Sequence, residues 1–168
     1  MARKLEWDFI KPLKSVELID QFEQKVGFKF PQSFRDCVIA NNAGYPSMNT
    51  FDTDKEKERV FDSLLSFNPE DKCNVWDYYD WSAEDFEELG QRYIEFASSG
   101  FGDPIAFDPE TGYVIFVDHE TLEIELIAKT FDEFLDKLYD DEEVEDEEVA
   151  TEEPPKKPGF KFPFFWKR

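Results

Sequence analysis

His119 is the only histidine in the chain, and any imidazole-based general acid–base or nucleophilic chemistry would have to be built around it. No serine or cysteine beside it suggests a nucleophile–base pair, so His119 reads as a satisfied turn residue at the end of a strand. Metal sites need clusters of His, Cys or convergent carboxylates. With 40 acidic residues in 168, chance pairs are frequent and carry little information. Asp52, Asp54 and Glu56 alternate as a calcium loop would begin, but the required Gly and the terminal Glu at the right offset are missing. No Gly-rich loop follows a strand in the way that cradles phosphate. The reading is therefore non-enzymatic, with no catalytic residue, no cofactor and no metal ligand assigned.

Recognition is better served by KCNVWDYYDW (72–81). It places Trp76, Tyr78, Tyr79 and Trp81 among Asp77 and Asp80, and Glu84 and Asp85 extend the same character beyond it. Aromatic side chains dominate binding hot spots, and carboxylates meet basic partners. The alternative is that two of these aromatics plug the core beside the sheet, because strand alternation would bury half of them.

A second aromatic cluster closes the chain. Phe160, Phe162, Phe164, Phe165 and Trp166 sit in GFKFPFFWKR, a short linear motif rather than a domain. Three destinations are open to it: an apolar groove, weak attachment to an anionic membrane surface, or the acidic domain itself. A sticky end without function is the fourth.

Charge divides the chain. Residues 1–139 hold 30 acids and 14 bases, 140–153 hold ten acids and no base, and 154–168 hold five bases and no acid. The middle block repels itself and has almost nothing apolar to bury, which predicts a mobile acidic linker between a domain at 1–139 and a basic aromatic tail at 154–168. The net charge of -21 argues against nucleic-acid binding, which depends on basic side chains neutralising phosphates, and fits a basic protein partner or plain solubility. No apolar run approaches the roughly 20 residues of a membrane span. The first residues do not read as a secretory signal, and two cysteines are too few for a disulfide framework, so a reducing, cytoplasmic setting is expected. Cys37 falls in an apolar helical pattern and is expected to be a small buried hydrophobe.

The elements that must position these residues follow from periodicity. SVELIDQFEQKVG (15–27) predicts a helix capped by Ser15, with Val16, Ile19, Phe22 and Val26 recurring on one face and Gly27 as its stop. PQSFRDCVIANNAG (31–44) predicts a second helix, with Pro31 in its first turn and Gly44 supplying a positive φ at its end. VFDSLLSF (60–67) looks like a strand, SAEDFEELG (82–90) like a short acidic helix, and YIEFA (93–97) like another strand. PIAFD (104–108), PETG and YVIFVD (113–118) predict a hairpin, followed by a strand in EIELIA (123–128). TFDEFLDKLYD (130–140) closes the domain as a helix with Thr130 and Glu133 as a capping box. The order is α+β: two N-terminal helices, an antiparallel meander sheet and a closing helix, followed by the tail.

Three stretches in register resemble the SUKH superfamily, small bacterial immunity proteins whose fungal relatives act in cell-wall assembly and signalling. FPQSFRDCVIANNAG (30–44) is similar to the family's Leu-Pro, hydrophobic-helix, Asn-Gly-Gly signature, with Phe30 in place of Leu and Ala43 in place of the first Gly. YIEFASSGFGDPIAFDPETGYVIFVDHE (93–120) is similar to its central strand, Gly-Asp turn and hairpin, and IAKTFDEFLDKLYD (127–140) to its closing helix. The resemblance implies no enzymatic activity. It implies an immunity protein that neutralises a cognate basic toxin, a nuclease by class, by occluding its active site. The alternative it implies is a regulatory scaffold or adaptor. Because the family's interfaces vary, it assigns no interface residue.

Overall fold

The computed structural model describes residues 5–90 and 92–140, with backbone alone for 84–89. The chain enters through a two-residue strand, Trp7–Asp8 (β1), and an arm that leads to the first helix, Glu17–Val26 (α1). Ile19 and Phe22 of α1 are buried, and Gly27 ends it at φ 72° with its N–H on the Glu23 carbonyl. Val16 occupies the N-cap position, while Ser15 Oγ accepts the Glu17 N–H at 3.2 Å, so the expected cap sits one residue early.

The second helix, Gln32–Asn41 (α2), starts after Pro31 and buries Phe34 and Val38. Cys37 is half-buried against the same core, and burial pushes its thiol up to about 11. The end of α2 differs from expectation. Ala43, not Gly44, holds the positive φ, at 65°. Gly44 is required for a different reason: a Cβ there would stand 2.8 Å from the Asn41 carbonyl oxygen and 3.3 Å from the Trp7 side chain. Close backbone approach therefore selects the glycine. Asn42, buried beside it, donates to the Lys11 carbonyl and to Ser66 Oγ and accepts the Phe67 N–H, binding the N-terminal arm to the loop after residue 65.

Four short strands follow: Tyr45–Pro46 (β2), Thr50–Phe51 (β3), Arg59–Val60 (β4) and Ser63–Leu64 (β5). β1 pairs with β2, and β3 with β4. The single strand expected at 60–67 is thus two. Phe61, Leu64 and Leu65 are all buried, so the run lacks a two-residue alternation and passes from one small sheet to the edge of the main one.

The main sheet adds Ile94–Ser98 (β6), Pro104–Phe107 (β7), Val114–Val117 (β8) and Ile124–Ala128 (β9) to β5, in the order β5-β6-β7-β8-β9, every pair antiparallel. Its inner face carries Phe96, Phe107 and Phe116 against α1, α2 and the last helix, Phe131–Lys137 (α4). Phe34 lies 5.2 Å from Phe96, and 5.1 Å from both Phe107 and Phe131, ring centre to ring centre. Thr130 caps α4 by accepting the Glu133 N–H, and the Glu133 carboxylate accepts the Lys129 N–H. Tyr139 then pairs with Thr50 and donates its hydroxyl to Asp52, fastening the end of the domain to β3. The α+β order read from the sequence is the order found.

Candidate functional site

The aromatic stretch is neither a strand nor a loop. It is the first half of one long helix, Val75–Leu89 (α3), which continues through the segment expected to begin a helix at Ser82. Asn74 starts it: its side-chain Oδ1 accepts the Asp77 N–H at 2.8 Å, and its side-chain Nδ2 donates to the Asp77 carboxylate at 3.1 Å. An Asn followed three residues later by an acid is a start signal that the aromatic run obscured.

Helical spacing sorts the four aromatics. Trp76 and Tyr79 turn inward onto Phe22, at 5.1 and 6.0 Å, and the Trp76 indole donates to the Phe67 carbonyl. Arg92 lies over the Tyr79 ring at 4.0 Å and donates to the Tyr79 carbonyl. Tyr78 and Trp81 pair with each other at 5.1 Å on the other side, where Trp81 is 63% exposed. Asp77 and Asp80 are exposed; Asp80 meets Lys25 at 3.1 Å. The candidate set therefore divides between packing (Trp76, Tyr79), surface (Asp77, Asp80, Trp81) and Tyr78, which is half-buried against the core while pairing with Trp81. Glu84 and Asp85 lie in α3, but their side chains are outside the described residues. So is the whole tail cluster of Phe160, Phe162, Phe164, Phe165 and Trp166.

Beside Trp81 the helix and the outer face of the sheet enclose a cleft of about 320 Å³. Tyr78, Trp81, Tyr93, Glu95, Gly102 and His119 are among its walls. A register shift between Glu95 and Ala97 sets the outward turn of β6, and Glu95, opposite Ala106, faces away from the phenylalanine core and is nonetheless buried. Burial and the Cys73 thiol together raise the Tyr78 phenol above its ordinary range, so its hydroxyl stays protonated.

The rim of the cleft is a two-loop construction. Gly100 and Gly102 take φ of 84° and 94°, the turn expected between β6 and β7. Asp103 Oδ1 then accepts the His119 N–H at 2.9 Å and lies 2.6 Å from His119 Nδ1. That hydrogen bond raises the His119 imidazole above its usual value, and the backbone N–H groups of Thr121 and Glu120 hold Asp118 below its own. Asp103, Asp118 and His119 each offer one ligand atom within 4.8 Å of the others, a grouping capable of holding a cation. Sequence reasoning passed over it because 16 residues separate Asp103 from His119 and only the β7–β8 hairpin brings them together.

No nucleophile–base pair joins this arrangement among the described residues, and His119 is engaged by a carboxylate rather than by a hydroxyl or thiol. What the site offers is aromatic surface and negative potential. Residues 15–137, from α1 through α4, match the profile of the SMI1 / KNR4 family (SUKH-1). The chain belongs to that family. Comparison with curated proteins gives no match. In this SUKH-1 domain the Asn-Gly signature has an architectural task, since Asn42 ties three segments together and Gly44 makes room for Trp7. SUKH-1 membership points to a protein that works by association and regulation, with a protein partner. No helix among the described residues is long and apolar enough to cross a membrane.

Proposed function

We propose that this SUKH-1 chain is an immunity protein that neutralises a cognate basic toxin, a nuclease by class, through direct binding that occludes the toxin's substrate cleft. One observation supports this above the rest: Trp81 stands exposed on Tyr78 at the mouth of an acid-containing cleft, with Asp77 and Asp80 on the same helix, in a chain of net charge -21. An aromatic anchor on an acidic helix suits a positively charged, phosphate-binding surface. The negative field accelerates encounter and rejects acidic partners, while the buried ring slows release. Immunity complexes of this general kind are among the tightest protein pairs known.

The test is co-expression with the product of the neighbouring gene, followed by measurement of toxin activity and of affinity across a salt series. Protection of the host, a stable complex, and affinity that falls steeply with salt are the expected results. If the neighbour is no toxin, and no basic protein co-purifies, the immunity reading is wrong and an adaptor role takes its place.

A further inference from the structure

The outer face of the main sheet is covered unevenly. Opposed residues form two apolar rows across it: Ala106, Ile115 and Leu126 in one, Val117 and Ile124 in the other. Ala106, Ile115 and Val117 are 0%, 4% and 0% exposed, whereas Leu126 is 47% and Ile124 36% exposed. Burial therefore stops at β9, which is also the last strand of the sheet: no strand among the described residues pairs with its outer edge. The Asp118 N–H donates to the Glu123 carbonyl, so the alternation of an antiparallel ladder turns the backbone groups of Ile124 and Leu126 toward that edge. Glu123 and Glu125, on the other face of β9, are already engaged, the first by Lys55 and the second by Arg59 and Thr53. What β9 leaves unused is a strand edge with an apolar row beside it, the kind of edge that folded proteins cover.

A segment of matching period lies in the same chain, outside the described residues. Phe160, Phe162, Phe164 and Trp166 fall on every second position, as one face of a strand requires, and Pro163 among them opposes a helix. Pro163 has no N–H to donate, which suits the segment to an outermost strand. Residues 154–168 hold five bases and no acid, against 30 acids and 14 bases in 1–139, so the domain attracts them. The domain also ends beside β9, where Lys137 of α4 donates to the Ile127 carbonyl. Residues 141–159 can span at most roughly 60 Å, several times the length of a five-residue strand. We propose that residues 160–166 add to the outer edge of β9 as a further strand of the main sheet, their alternate aromatics extending the rows that end at Leu126 and Ile124. Rings opposite aliphatic side chains are favourable cross-strand pairs, and the tether holds the segment at high local concentration. The added strand seals the edge that another chain could otherwise pair with.

The experiment uses the full chain, labelled with ¹⁵N, and measures amide hydrogen exchange at Ile124 and Leu126. Both amides are expected to be protected in the wild type, and to exchange roughly tenfold faster or more in the double variant Phe162→Ser, Phe164→Ser. Those changes lie beyond the domain, and unaltered protection at Phe116 verifies that the sheet is intact. Phe165→Ser, on the opposite face of the segment, should change exchange by less than about threefold. Leu126→Lys tests the strand from its own side, at an exposed position. It should move the Trp166 indole resonance to the place it takes in a free peptide of residues 154–168. Fast exchange at both amides in the wild type, or protection that survives the double variant, overturns the proposal. Protection that rises with protein concentration gives the edge to a second copy and overturns it too. So does a Trp166 resonance that ignores Leu126→Lys and responds only to anionic vesicles, which gives the tail to a membrane surface.

Discussion

On the inner face of the sheet, Phe96, Phe107 and Phe116 meet Phe34, Phe131 and Phe134, and all six are fully buried or nearly so. On the outer face, Tyr93 and Glu95 share their surroundings with Tyr78, Trp81 and His119, and an open cleft remains between them. The same five strands thus carry two chemistries. The inner one is closed and apolar. The outer one keeps aromatic area and charge within reach of solvent. Stability and recognition are therefore assigned to opposite sides of one sheet, and a substitution should affect one without the other.

The sharpest way to break that division is in the ring cluster. Phe34→Ala removes a side chain in contact with Phe30, Phe67, Phe96, Phe107 and Phe131, and is expected to cost about 3–5 kcal/mol. Urea unfolding measures it. A loss below about 1 kcal/mol would mean that the inner face is not where the stability resides.

The two α3 tryptophans sharpen the comparison within one helix. Trp76→Ala strips packing from Phe22 and a donor from the Phe67 carbonyl, and should destabilise by about 2–3 kcal/mol, somewhat less than a fully buried ring. Trp81→Ala should change stability by less than about 0.5 kcal/mol, as exposed positions do. Its effect belongs to partner affinity, where a hot-spot loss of about 2 kcal/mol reads as roughly a thirtyfold rise in Kd. If the two variants behave alike in either measurement, the helix does not separate packing from recognition.

How much of this was legible beforehand follows from where the information sits. The stripe of α1, the start and stop signals of α2 and α4, and the strands β6 to β9 are written in local spacing, so Ile19 and Phe22 could be placed from sequence. The start of α3 could not. Trp76, Tyr78, Tyr79 and Trp81 satisfy a two-residue alternation nearly as well as a helical one, and the deciding signal, Asn74 with Asp77, is a single cap. The break at 60–67 was hidden because Leu64 and Leu65 are both buried, a consequence of passing between two sheets. The cleft was invisible for a stronger reason. Tyr78, Glu95, Gly102 and His119 converge only when the meander, its register shift and α3 are all in place.

That cap provides the next test. Asn74→Ala deletes the acceptor for the Asp77 N–H and should cost about 1 kcal/mol. It should also weaken partner binding, because Trp81 depends on the register of the first two turns. Loss of stability with unchanged affinity would show that the recognition surface does not depend on how α3 begins.

The smallest expected effect lies at the rim. Asp103→Asn preserves an oxygen for the His119 N–H but removes the charge facing Nδ1, so the His119 pKa should fall back toward its ordinary 6.5. A single histidine makes the proton titration unambiguous by NMR. In the wild type the folded-state value is raised, so the pair stabilises the protein fully below pH 6.5 and the contribution disappears as pH rises through the folded-state value. With the His119 side chain 48% exposed, that contribution stays below about 1 kcal/mol, and the Asn variant should lose most of the pH slope, Glu120 and Asp118 keeping the remainder. Phe34, on the opposite side of the sheet, should leave the titration where it is when replaced by a smaller apolar residue that still folds, such as Leu. A His119 pKa that moved with the inner core would tie the two faces together, and the outer one could no longer be treated as a surface free to specialise.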